Sequence, residues 1–171
     1  MAYIPAHSVP WRPAAQWREP VRAEAPAAAA ERRLAEFLAE HGYILLYDGL
    51  CGLCNGFVQF VLKRDKLGAM RFATLQGEIG QAALRLLPEI ADVDSVVLLH
   101  RDGAWVRSTA ALEVARYLGG AWSATLAAYA LPRLLRDWLY DLVARRRYGW
   151  FGRLDACPNP SAETRARFLD C

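Results

Sequence analysis

Residues 27–41, AAAAERRLAEFLAEH, are strong helix formers, and Leu34, Phe37 and Leu38 fall at i, i+3 and i+4. This predicts a helix closed by Gly42. Tyr43-Ile44-Leu45-Leu46-Tyr47 is a short unbroken apolar run, the pattern of a strand buried on both faces. It gives way to Asp48-Gly49-Leu50-Cys51-Gly52-Leu53-Cys54-Asn55-Gly56, after which Phe57, Val58, Phe60, Val61 and Leu62 repeat at helical spacing up to Asp65. Met70 to Ala73 reads as a second strand, Gln81 to Leu87 as a helix ended near Pro88, and Ser95 to His100 as a third strand. Asp102-Gly103 is a hairpin signal, with Trp105 to Ser108 pairing back. Thr109 is the expected cap of a helix through Leu112 to Leu118.

Trp122 to Leu131 is apolar nearly all round, and Pro132 opens a further helix. There Leu131, Leu134, Leu135, Trp138, Leu139, Leu142 and Val143 form one face, opposite Arg133, Arg136, Asp137 and Asp141. The expectation is two packed helices covering the domain with that apolar face. Residues from Phe151 to Pro160 are irregular, and Ser161 with Thr164 to Leu169 suggests a last short helix. The order β-CxxC-α-β-α-β-β-α is that of a thioredoxin-like domain. The predicted fold is α/β: a sheet flanked by helices, with extra C-terminal helices. Residues 1–26, rich in proline, read as a flexible tail, 27–42 as an N-terminal helix and 43–171 as the domain. Limited proteolysis is expected to cut before about residue 26.

Composition narrows the function. Lys+Arg is 21 against Asp+Glu 18, a net charge of +3, too weak to indicate a nucleic-acid partner. The hydrophobic fraction of 54% includes 30 alanines, and 19 of the basic residues are Arg. Six Arg against two Asp between Arg133 and Arg153 hold the positive excess. The start lacks a charged segment followed by an apolar run, so a cytoplasmic location is the default. The longest uncharged stretch, Tyr117 to Pro132, is 16 residues, short of the roughly 20 of a spanning helix.

Cys51 and Cys54 carry the candidate chemistry. Cysteines at i and i+3 in a first helical turn share a face and can close a disulfide. Unpaired N–H groups and the positive dipole end favour a thiolate on the first. Cys51, at the outer edge, is therefore the expected attacking thiol, and Cys54, one turn deeper, the resolving one. Asp48 has two readings: a proton shuttle for Cys54, or a turn and capping residue. Cys157 reads as structural or accessory, and Cys171 is terminal. His100 ends a strand and reads as surface or satisfied. A zinc site built from Cys51, Cys54, Cys157 and His100 is the metal alternative.

Here the chain resembles the DCC thiol-disulfide oxidoreductases, named for the Asp-Cys-Cys of a DxxCxxC motif. The resemblance rests on Tyr47 to Asn55, Phe60 to Asp65, Arg71 to Gln76, Ser108 to Leu112, Arg147 to Arg153 and Asp155 to Pro158. It implies a thioredoxin-like fold and protein-disulfide reductase activity, and it carries over Asp48, Cys51 and Cys54. Two departures from ordinary thioredoxins stand out. The stretch 92–96, where those enzymes place a cis-proline, has no proline, and the dithiol spacer is Gly52-Leu53. The expected partners are a disulfide-containing protein or small-thiol substrate and an electron donor, with no cofactor, no metal and no nucleic acid. The rival reading is a membrane-surface or partner-binding module, with Arg145, Arg146 and Arg147 near Trp138, Trp150 and Phe151 contacting anionic lipid.

Overall fold

The computed structural model describes residues 9–10, 25–90, 96–154 and 164–170. Among these residues six strands form one sheet: β1 (Val9–Pro10), β2 (Tyr43–Tyr47), β3 (Arg71–Thr74), β4 (Val97–His100), β5 (Gly103–Val106) and β6 (Phe168–Asp170), in the order β1-β5-β4-β2-β3-β6. Central β2 runs parallel to β3 and antiparallel to β4. Parallel β2 and β3 need a crossover, supplied by α2 (Gly52–Arg64), whereas β4 and β5 need only the hairpin at Asp102-Gly103. The arrangement is thioredoxin-like.

The apolar run of β2 is buried on both faces because successive side chains alternate. Ile44 and Leu46 join Val97, Leu99 and Ala73 on one face, covered by α1 (Ala25–His41) and α3 (Glu78–Leu86) through Leu34, Leu38, Ile79 and Ala83. Leu45 and Tyr47 join Phe72 and Leu98 on the other, covered by α2 and α4 (Arg107–Leu118) through Val58, Val61, Ala110 and Val114. Cys51 and Cys54 belong to this second core. Gly42, at φ 84°, ends α1 in the left-handed conformation that glycine adopts freely.

Four expectations are corrected. The helix after β5 starts at Arg107, not past Thr109, because the chain turns at Arg107 itself, whose φ is 53°. Thr109 therefore lies inside α4 and caps nothing. The segment from Trp122 is an eleven-residue 3-10 helix, Gly120–Ala130, with no buried residue. The terminal segment is a 3-10 turn, Arg165–Arg167, followed by strand β6 rather than a helix. Asp170 accounts for this last difference: its carboxylate accepts from the Thr74 amide at 2.7 Å and the Ile79 amide at 2.9 Å, docking β6 beside β3 and capping α3.

The fourth correction concerns α5 (Arg133–Phe151), which packs on α2 and α4. Its leucines do not cover the domain. Leu134 is 86% exposed and Trp138 55%, while Arg136 and Arg147 are 7% and 3% exposed. The reason is polar partnership. Arg147 meets Asp48, and Arg136 lies at 4.8 Å over the Tyr129 ring and donates to Ser108 Oγ at 3.4 Å. Arg136, Tyr140, Ala144 and Arg147, spaced at three and four residues, make the inner stripe.

Candidate active site

The structure brings Asp48, Cys51 and Cys54 together at the carboxyl end of β2. The turn begins with the Cys51 amide donating to the Asp48 carbonyl at 3.2 Å and the Leu50 amide to the Asp48 carboxylate at 3.0 Å. Asn55, on the first turn of α2, donates its side-chain amide to the Gly49 carbonyl at 2.8 Å and the Cys51 carbonyl at 2.9 Å. Gln76, in the loop after β3, donates to Asp48 at 2.9 Å and accepts from the Gly49 amide at 3.2 Å. Loop 48–51 is thus held by its own turn and clamped from two further elements.

Cys51 is the N-cap of α2, and its Sγ accepts the Cys54 amide at 3.3 Å. A sulfur in this place faces the unpaired N–H groups and positive end of the helix dipole. Both cysteines are free thiols. Burial pushes the Cys54 thiol well up; the hydrogen bond and charge of Cys51 push the same way, and the Arg147 charge partly opposes them.

The expectation that Cys51 lies at an accessible outer edge is corrected: it is 0% exposed. The residues after α5 cross over it. The Gly52 amide donates to the Gly152 carbonyl at 3.3 Å, the Leu154 amide to the Leu50 carbonyl at 2.8 Å, and Cys51 pairs with Arg153 in an antiparallel bridge. This crossing requires Gly52. A Cβ there would stand 2.2 Å from the Phe151 carbonyl oxygen.

Asp48 is the hub beneath the dithiol. Its carboxylate accepts from Leu50, Gln76, Arg147 at 3.2 Å and the Tyr148 hydroxyl. Burial alone would raise its pKa. The Tyr148 hydroxyl, the Leu50 amide, Gln76 and Arg147 outweigh that and hold the carboxyl below its usual range. Asp48 and Arg147 form an ion pair with side chains 7% and 3% exposed.

Cys54 borders a cavity of about 490 Å³ lined by Leu53, Phe57, Val96, Ala111, Leu112, Leu139 and Val143, with Arg136 and Arg147 in its wall. Val96 is the described residue of the stretch 92–96, and it faces this cavity. His100 is elsewhere. It pairs across from Tyr43 at the start of β2, so roughly 16 Å of strand separates it from Asp48. That removes it from any shared metal site with the dithiol. It is buried, stacked at 3.8 Å on Trp105, with Nδ1 accepting from the Asp102 amide. Among the described residues no cluster of three or more His, Cys, Asp or Glu is disposed to hold a metal. Cys157 and Cys171 lie outside the described residues.

The expectation that Arg147 contacts lipid with Arg145 and Arg146 is corrected: it is buried on Asp48, because that buried carboxylate needs a counter-charge. Tyr148 and Gln76 carry no role in the sequence reading, although each lies in a segment that carries the family resemblance. The signal that could have found them was the need of a buried Asp48 for donors.

Residues 45–153 match the family described as DCC1-like thiol-disulfide oxidoreductase. The chain is 42% identical over 127 residues to the uncharacterised protein YuxK of Bacillus subtilis, covering 74% of this chain and 93% of that one. It is 40% identical over 117 residues to a chloroplastic DCC family protein of Arabidopsis thaliana, covering 67% of each. No solved structure matches it significantly.

Proposed function

From membership of the DCC1-like thiol-disulfide oxidoreductases, the family to which this chain belongs over residues 45–153, we propose that the protein is a protein-disulfide reductase. In this reading Cys51 attacks and Cys54 resolves. The observation that carries it is the seat of Cys51 Sγ at the N-cap of α2, accepting the Cys54 amide, with Cys54 itself held protonated by burial.

The Cys51 thiolate attacks one sulfur of a substrate disulfide. A mixed disulfide forms, and the other substrate sulfur leaves as a thiolate. Cys54 then gives up its proton and attacks Cys51 Sγ. The second substrate thiolate departs, and an intramolecular Cys51–Cys54 disulfide remains. An external thiol donor returns two electrons and two protons. The Arg147 charge favours the Cys54 thiolate at the resolving step, and Asp48 acts as the anchor that holds Arg147 there. Substrate reaches Cys51 when the crossing residues 152–154 lift from loop 50–52. The substrate is a disulfide-bearing protein or small disulfide, and a reducing compartment such as the cytoplasm suits the direction.

The test is reduction of insulin disulfides with dithiothreitol as donor. The wild-type protein should accelerate it, and Cys51→Ser should fall to the uncatalysed rate. Cys51→Ser and Cys54→Ser variants that both retain the wild-type rate would remove the dithiol from the reaction.

A further inference from the structure

The outer face of α5 carries its own pattern. Leu131, Leu134, Leu135, Trp138 and Leu139 are all at least 40% exposed. Within the helix Leu134, Leu135, Trp138 and Leu139 stand at i, i+1, i+4 and i+5, one continuous stripe that Leu131, just before the helix, adjoins. Isolated exposed apolar residues are ordinary, but five on one face form a patch. The stripe runs on into exposed Arg145 and Arg146, seven residues past Trp138 and Leu139, and then into Trp150, with the Arg146 guanidinium 5.7 Å from its ring.

Charge selects the occupant. The two acidic residues of α5 are both engaged: Asp137 with Arg133 at 3.0 Å and Asp141 with Arg107 at 3.6 Å. Arg145 and Arg146 make no ion pair among the described residues. The adjoining 3-10 helix, GAWSATLAAYA, contains no charged residue. The face is therefore apolar, flanked by tryptophans, and positive at one end with no opposing carboxylate among the described residues. Among the described residues no helix is long and apolar enough to cross a membrane. An exposed apolar helix face with unpaired cations at its end suits the plane of a bilayer, its apolar side in the headgroup boundary and its cations on anionic headgroups.

We propose that the α5 face docks the protein onto a bilayer carrying anionic lipid. The cavity beside Cys54 is walled by Leu139 and Val143 of the same helix and by Leu131 just before it, so docking brings its mouth to the lipid surface. The inference does not rest on the thiol chemistry.

The experiment is cosedimentation of the full chain with phosphatidylcholine vesicles, with and without phosphatidylglycerol. Wild-type protein should pellet with the anionic vesicles at low salt and be released by high salt. Arg145→Ala/Arg146→Ala should weaken partitioning by on the order of tenfold or more. Leu134→Gln/Trp138→Gln should abolish it, with an unchanged circular dichroism spectrum. Wild-type protein that stays in the supernatant with anionic vesicles overturns the proposal. So does a wild-type dimer, seen by sedimentation velocity without lipid, that Leu134→Gln/Trp138→Gln turns into monomer, since a second copy then covers the face.

Discussion

Arg147 is 3% exposed and ion-paired with the buried Asp48. Removing one partner of a buried pair leaves the other charge uncompensated, which typically costs about 3–5 kcal/mol. Asp48→Ala should lose stability of that order in urea unfolding at neutral pH, and a loss near zero would show that Arg147 finds other compensation. At Gly52 the constraint is steric. A Cβ 2.2 Å from the Phe151 carbonyl forces the crossing residues away, so Gly52→Ala should destabilise the fold by about 1–3 kcal/mol and speed iodoacetamide modification of Cys51. Gly149 is the contrast. It lies inside α5 with nothing within 4 Å of its Cβ position, so Gly149→Ala should stabilise by about 0.5–1 kcal/mol in the same assay. The three residues of the DxxCxxC motif were legible because turn and helix chemistry are local. Their supports were not. Arg147 lies 99 residues from Asp48 and Gln76 lies 28, and only the folded sheet sets them side by side.

Local periodicity located most elements, because the strands and α1 to α4 bury residues where the pattern places them. Leu34, 0% exposed under α3, is such a position, and Leu34→Ala should cost about 2–5 kcal/mol. α5 obeys a different rule. Its leucine stripe is the larger hydrophobic signal, yet the buried side is the one whose arginines meet Asp48, Ser108 and the Tyr129 ring. Leu134→Gln should therefore shift stability by no more than about 0.5 kcal/mol in urea unfolding. A loss comparable to that of Leu34→Ala would mean that Leu134 is packed. The crossing residues 152–154 were equally invisible in the sequence, since a single antiparallel bridge to Cys51 leaves no periodic trace.

At the scale of the whole molecule, two buried groups tie stability to pH. Burial lowers the pKa of His100, with Asp102 partly opposing. The unfolded chain then takes up this proton first, so the stabilisation is complete above the unfolded value of about 6.5 and declines as pH falls through it. Asp48 has a lowered carboxyl pKa, so its contribution is complete above about 4 and is lost on further acidification. Unfolding free energy should thus decline in two stages below neutrality, and His100→Gln should remove only the upper one. Both groups converge on β2, one at each end, and at the carboxyl end the fold presents its dithiol. The division of labour there is tested most directly by intact-mass analysis of single-cysteine variants after incubation with a disulfide substrate. Cys54→Ser should accumulate a mixed disulfide through Cys51, because attack proceeds and nothing resolves it. Cys51→Ser should remain unmodified. A substrate adduct on Cys51→Ser, with Cys54→Ser turning over normally, would reverse the assignment and make the cavity-facing Cys54 the nucleophile.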